Sequence, residues 1–266
     1  MKPNDLSVVL TGATGSVGAA LARELVARGA RVLLVARTAA PLVALARELA
    51  REDDNRHRID ALAADVTSAS ARIGIRDAAV ARNVNALINA ASADEPGPLY
   101  ELDATRVDAV LQTNLGAAMQ LTRALLPHLL RQPEARVLNL GSALALTALP
   151  GAAVYSASQF GLRGFAEALR RELADTNVRV QFLGRQPASP VHDPHELDED
   201  QVRERSEVPE YVASVALRML LAGSSERFLG ISNTVLGRLN ALMPLWLDST
   251  LKRRHVVPRR RKAAPT

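Results

Sequence analysis

The sequence predicts an α/β fold: one doubly wound domain with a parallel sheet between two layers of helices. Three observations predict it. Short β-branched and apolar runs alternate with amphipathic helical stretches along the chain, and that alternation implies parallel strands joined by right-handed crossovers. A glycine-rich turn follows the first apolar run and leads directly into a helix. The length of 266 residues, with 48% hydrophobic and 23% charged side chains, is the balance of a globular protein, and α/β folds of this size often stay undivided.

The elements follow in order. Leu6 to Leu10 reads as the first strand. Val17, Leu21 and Leu25 recur every four residues along one helix face, and Gly29 can end that helix. Arg31 to Ala36 is a second strand, followed by a helix with Leu42, Leu45 and Leu49 inward. Asp60 to Ala64 is a weak third strand and Ala86 to Ala90 a fourth. A long helix is expected from about Thr105 to Leu126, a fifth strand from Arg136 to Leu140, and another helix after Tyr155. Val178 to Leu183 makes a sixth strand, and Phe228-Leu229 a short seventh. Residues 185–206 lack apolar periodicity and hold three prolines. A structureless run of that length is a lid or binding loop, or else a disordered surface excursion.

Composition excludes several classes. There is no cysteine, hence no disulfide or thiolate metal site. No run of 18 apolar residues occurs, and Met1 to Leu10 lacks the pattern of a secretory signal, so a cytoplasmic location is the expectation. The basic surplus is local: residues 251–266 carry seven Lys or Arg and no acid, and without them the formal +5 becomes −2. A nucleic-acid-binding body would carry its basic face on the fold itself. The only lysines are Lys2, Lys252 and Lys262, so the body of the chain relies on arginine.

Thr11-Gly12-Ala13-Thr14-Gly15-Ser16-Val17-Gly18 joins the first strand to the first helix. Glycines let the backbone turn sharply and approach a pyrophosphate, and the helix N-terminus offers free N–H groups to the anion. Cofactor choice is read about twenty residues further on, where an acid binds the ribose hydroxyl of NAD and an arginine accommodates the 2′-phosphate of NADP. Here the second strand ends Ala36-Arg37-Thr38 without an acid. Arg37 therefore favours NADP(H) over NAD(H).

Several ordered stretches then resemble the short-chain dehydrogenase/reductase family over about residues 5–230. Asp65-Val66 resembles the family's adenine-contacting pair, and Asn89-Ala90-Ala91 its asparagine turn after strand four. Asn114, within Val-Leu-Gln-Thr-Asn-Leu, looks like the mid-helix asparagine. Ser142 precedes Tyr155 by thirteen residues, as the family's serine and tyrosine do, and Tyr155 to Gln159 is close to Tyr-x-x-x-Lys. The resemblance implies a Rossmann-type dinucleotide domain over 1–230. It implies a catalytic set of Tyr155, Ser142, Asn114 and Gln159. The implied cofactor site holds Gly12, Thr14, Gly15, Ser16, Val17, Gly18, Arg37, Asp65, Val66, Asn89, Ala90, Tyr155 and Gln159. It further implies a dimer or tetramer paired through the helices near 105–126 and 156–174. The substrate is a small carbonyl or alcohol, apolar in character.

Four positions depart from the pattern. Gln159 stands where the family has lysine, so a ribose hydrogen bond can survive but the charge that lowers the phenol's pKa cannot. Arg163 lies two turns from Tyr155, about 12 Å along the helix axis. The glycine turn has the TGxxGxxG spacing of the family's longer members, with Ser16 in place of glycine. The asparagine turn ends in Ser92, and Arg185-Gln186 replaces Pro-Gly, with Ser189 where a hydroxyl residue is expected. Carbonyl reduction uses the neutral phenol and survives without a cation; alcohol oxidation needs the phenolate and suffers more. A catalytically impaired, dinucleotide-binding sensor or scaffold is the alternative. Beyond residue 230, Val235, Leu236, Leu239, Leu242, Met243, Trp246, Leu247 and Leu251 form an apolar stripe beside the basic tail, with Pro244 dividing it. Such a stripe is core, subunit interface, lid or peripheral membrane contact.

Overall fold

The computed structural model describes residues 1–51, 57–185 and 208–230, with Gly237, Leu239, Asn240, Leu242, Met243 and Leu245 beyond them. The expected lid or loop after Arg185, Ser189, most of the apolar stripe and the basic tail lie outside the described residues.

Among the described residues, seven strands form one sheet: β1 (Ser7–Thr11), β2 (Arg31–Ala36), β3 (Ile59–Ala63), β4 (Ala86–Asn89), β5 (Ala135–Ser142), β6 (Val178–Arg185) and β7 (Glu226–Phe228). Their order is β3-β2-β1-β4-β5-β6-β7, and each neighbouring pair is parallel. The period of two in a strand sends alternate residues to opposite faces. Val8 and Leu10 enter a core with Leu21, Leu25, Leu42 and Val215. Val9 enters the other, with Ile75, Leu121, Leu125, Leu162 and Leu169. All five β1 residues are buried because helices cover both faces. The weak third strand is weak for a physical reason: β3 is an edge, and its residues are partly buried or exposed.

Helices α1 (Ser16–Ala27) and α2 (Ala39–Leu49) follow the expected stripes. Gly29 stops α1 with a φ of 84°, and its neighbour Ala30 donates back to the Leu25 carbonyl. Two helices were not legible in the sequence. In α3 (Ala69–Ala81) only Ile75 and Ala79 are buried, too sparse a stripe to read. In α7 (Pro209–Ala222), which starts on proline, the buried residues occupy so many positions that the periodicity is blurred.

The long helix expected at 105–126 is present from Ala104 to Leu129, with a π-helical turn inside it. It divides into α4 (Ala104–Leu111), a π-helical turn over Gln112–Gly116, and α5 (Ala117–Leu129). The wider turn leaves the apolar spacing outside it intact, which is why the sequence reads as one helix. Asn114 sits inside that turn. Helix α6 (Ala153–Glu172) carries Tyr155 in its first turn. Strands β5 and β6 each run two residues further than their apolar runs predict, to Ser142 and Arg185, because both ends remain paired.

Candidate functional site

The sheet reverses its winding between β1 and β4, and the C-terminal ends of these strands diverge there. Open α/β sheets place ligands at such a switch point. A cleft of about 350 Å³ opens at this position. Gly12, Thr14, Gly15, Ser16, Val17, Gly18, Arg37, Asp65, Val66, Ala90, Tyr155 and Gln159 line it.

The glycine turn is shaped by contact. Gly12 has a φ of 65°, and a Cβ there would lie 2.7 Å from the Ala90 carbonyl carbon and oxygen. At Gly18 a Cβ would lie 2.1 Å from the Gly12 oxygen, so the helix can seat against the turn only without a side chain. Thr11 locks the two diverging strands: its hydroxyl donates to the Ile88 carbonyl at 3.3 Å and accepts from the Ala90 and Ala91 N–H groups at 3.0 and 3.3 Å. No side chain caps α1, whose N-cap is Gly15. Its first-turn N–H groups stay available to an anion. Such a turn, backed by a bare helix N-terminus, fits a pyrophosphate.

At the far end, Arg37 is exposed and reaches the cleft from the end of β2. Its charge is felt at Asp65, whose carboxyl is held below the usual carboxylate range. The Thr67 N–H is the chief cause, with the Thr67 hydroxyl and Arg37 adding to it against partial burial. Thr67 reaches Asp65 Oδ1 through N–H and O–H at 2.9 and 2.8 Å.

The other end holds Tyr155. This residue is only 6% exposed. Burial, the dominant effect, pushes the phenol above its ordinary value, and the Asp94 carboxylate pushes the same way. Arg185 pulls it back down, and the adjoining Ser142 and Ser92 side chains also favour the ionised form. Ser142 is fully buried at the end of β5, where its oxygen accepts from the Leu144 N–H at 3.1 Å. That bond leaves the hydroxyl proton free to donate.

Gln159 does not simply replace a lysine. Its Oε1 accepts from the Ser142 N–H at 2.9 Å, and its Nε2 lies 3.5 Å from Ser158 Oγ. The amide therefore ties the serine-bearing strand end to the helix of Tyr155. A lysine here would leave the buried Ser142 N–H without its acceptor, a loss of about 1–3 kcal/mol.

Three sequence-named residues do not line the cleft; they support it. Asn114 accepts from the Ala93 N–H at 2.7 Å and donates to the Ala93 carbonyl at 2.9 Å, and it also donates to Ser158 Oγ at 3.0 Å. The π-turn thus clamps the segment of Ser92 and Asp94 against α6. Asn89 lies beneath the cleft, where its amide donates to Asn139 Oδ1 at 2.9 Å and Thr122 Oγ1 at 3.2 Å. Ser142 lies just behind the lining, next to Gly141. Sequence reasoning named Ser92 and Arg185 only as departures, yet both line the cleft. Arg163 is turned elsewhere: it pairs with Glu226 at 2.8 and 3.2 Å and lies over the Phe228 ring at 5.5 Å.

The family profile described as short chain dehydrogenase matches residues 7–187. The chain belongs to the short-chain dehydrogenase family. A ketoacyl reductase from Nostoc sp. is 30% identical over 179 residues, 66% of this chain and 61% of that protein. A human protein named inactive hydroxysteroid dehydrogenase-like protein 1 is 29% identical over 178 residues, covering 66% of this chain and 53% of that one. The crystal structure of a metagenomic short-chain oxidoreductase in complex with NADP is 27% identical, with a TM-score of 0.71 over 84% of this chain and 95% of that one. Among the described residues, no helix of this family member is long and apolar enough to cross a membrane.

Proposed function

We propose that the chain is an NADP(H)-dependent oxidoreductase that reduces the carbonyl of a small, apolar substrate. The observation that carries this reading is the cleft itself. One end is a glycine cradle at a helix N-terminus, and the other holds Tyr155 beside Ser142. A nicotinamide dinucleotide bound there supplies the hydride. Gly12, Gly18 and the first turn of α1 would hold its pyrophosphate, with Asp65 and Val66 at the adenine end. Tyr155 gives its phenolic proton to the substrate oxygen, and the Ser142 side chain, buried just behind the lining, hydrogen-bonds the phenol. Burial favours the protonated phenol, the form that reduction consumes. Residues 1–230 are the proposed dinucleotide domain, and 231–266 an extension that is amphipathic and basic in sequence.

The preference for NADP(H) rests on Arg37, the cationic side chain where an acid would select NAD. The similar oxidoreductase holding NADP supports it. NADPH is expected to bind at least about tenfold tighter than NADH, the worth of one exposed charge-assisted contact. Arg37→Asp should abolish or reverse that ratio. Equal affinities in a fluorescence titration of the unaltered protein would overturn the assignment.

The second reading is a dinucleotide-binding protein without turnover. Gln159 in the lysine position favours it, and so does likeness to a relative named inactive. Turnover on a panel of apolar ketones with NADPH decides between the two.

The assembly proposal is a symmetric dimer or tetramer through the α5 and α6 faces, where Met119 and Phe160 are each 41% exposed. Light scattering at micromolar concentration should give a multiple of the 28.5 kDa chain mass. A monomer mass would sink the idea.

A further inference from the structure

We propose that Arg185, at the C-terminal end of β6, is the cation that serves Tyr155 in place of the absent lysine. It acts through the phenol and so is a positioning residue. The inference rests on the proposed oxidoreductase reading and extends it to the source of the charge.

The geometry begins with strand register. Arg185 is the Cα partner of Ser142 across the parallel β5–β6 pair. Adjacent strands lie about 4.8 Å apart, so the serine and the arginine leave the sheet side by side. Both strands overrun their apolar segments, and that overrun delivers the two side chains to the same end of the cleft. Arg185 lines the cleft together with Tyr155, Gln159 and Ser92. The family's lysine approaches the phenol from one helical turn along α6; here the charge arrives from the neighbouring strand. The exchange is self-consistent, because Gln159 is occupied in holding the Ser142 N–H.

Among the described residues, the charges that act on the phenol are those of Arg185 and Asp94. From α6 comes Gln159 and from β5 comes Ser142, both uncharged. From β6 comes Arg185, and from the segment after β4 comes Asp94, with Glu95 beside it. Arg185 and Asp94 act on Tyr155 with opposite signs. Burial raises the Asp94 carboxyl above the ordinary range, while Arg185 draws it down. Asp94 is held in place by the Asn114 clamp on Ala93. The cluster is thus a cation and a carboxylate competing over one buried phenol. When Tyr155 releases its proton to a substrate oxygen, the phenolate left behind faces Arg185.

The test reads the phenol directly and needs neither cofactor nor turnover. The three tyrosines are Tyr100, Tyr155 and Tyr211. Replacing exposed Tyr100 and Tyr211 by Phe leaves Tyr155 as the sole titrating phenol. Phenolate absorbance is then followed against pH in four proteins: the parent and its Arg185→Gln, Arg185→Lys and Asp94→Asn forms. Arg185→Gln should move the midpoint upward by about one pH unit, roughly tenfold in the ionisation constant. Arg185→Lys should return it towards the parent, and Asp94→Asn should move it down. In the otherwise unaltered enzyme, Arg185→Gln should cut alcohol oxidation more than carbonyl reduction. A midpoint unmoved by Arg185→Gln overturns the proposal, as does one that Arg185→Lys fails to restore. Absence of NADPH binding or turnover in the parent would count against the oxidoreductase reading alone, since the titration still reports on Arg185.

Discussion

Tyr155→Phe should lower carbonyl turnover by about 10²- to 10⁴-fold, the range a positioned general acid contributes. NADPH affinity should stay within about twofold, because the cradle for the pyrophosphate lies at the other end of the cleft and shares no hydrogen bond with the phenol. The kinetic pattern matters as much as the size. A proton donor acts in the transition state, so kcat and kcat/KM should fall together. The pH dependence has a determined sign. Reduction consumes the protonated phenol, and burial places its ionisation above the ordinary value of about 10. Reduction should therefore stay level through neutral pH and decline only in the alkaline range, while oxidation, which uses the phenolate, rises over that same range. Turnover untouched by Tyr155→Phe would place the chemistry elsewhere in the molecule.

Gly18→Ala should weaken NADPH binding by at least about tenfold and destabilise the fold by about 1–3 kcal/mol, the usual cost of overpacking. The added Cβ would lie 2.1 Å from the Gly12 oxygen and 3.1 Å from the Ala13 Cα. Both are backbone atoms, so no flexible side chain can yield; the turn or α1 must move. Either movement pulls the N–H groups away from the pyrophosphate position. The control is Gly74→Ala within α3, where a Cβ would meet nothing within 4 Å. That change should stabilise by up to about 1 kcal/mol through helix propensity alone and leave binding untouched. Thermal unfolding by circular dichroism and NADPH titration measure both effects. If Gly18→Ala keeps full affinity, this turn is not where the dinucleotide phosphates lie.

The sequence by itself determined the alternation of strands and helices, the parallel sheet, the glycine turn and the order of the short-chain dehydrogenase motifs. These are local properties. Period-two and period-3.6 patterns, a glycine needed for a positive φ, and a Ser–Tyr spacing are all written in neighbouring residues. Even the weak reading of β3 carried physical content, since an edge strand buries little and shows little pattern. What the sequence could not express is whatever depends on who lies opposite. The π-turn at Gln112–Gly116 appears only when Asn114 is found gripping Ala93 from 21 residues away. Asn89 looks like a cleft residue until the sheet shows its amide turned to Asn139 and Thr122 beneath it. Gln159 reads as the loss of a lysine, yet across the fold it becomes the acceptor for the Ser142 N–H. Arg185 reads as a departure because along the chain it shows only the absence of Pro-Gly. Its meaning lies in the register with Ser142, a pairing between strands 43 residues apart in the chain. Electrostatics is set by distance in space, and one-dimensional spacing carries no record of it.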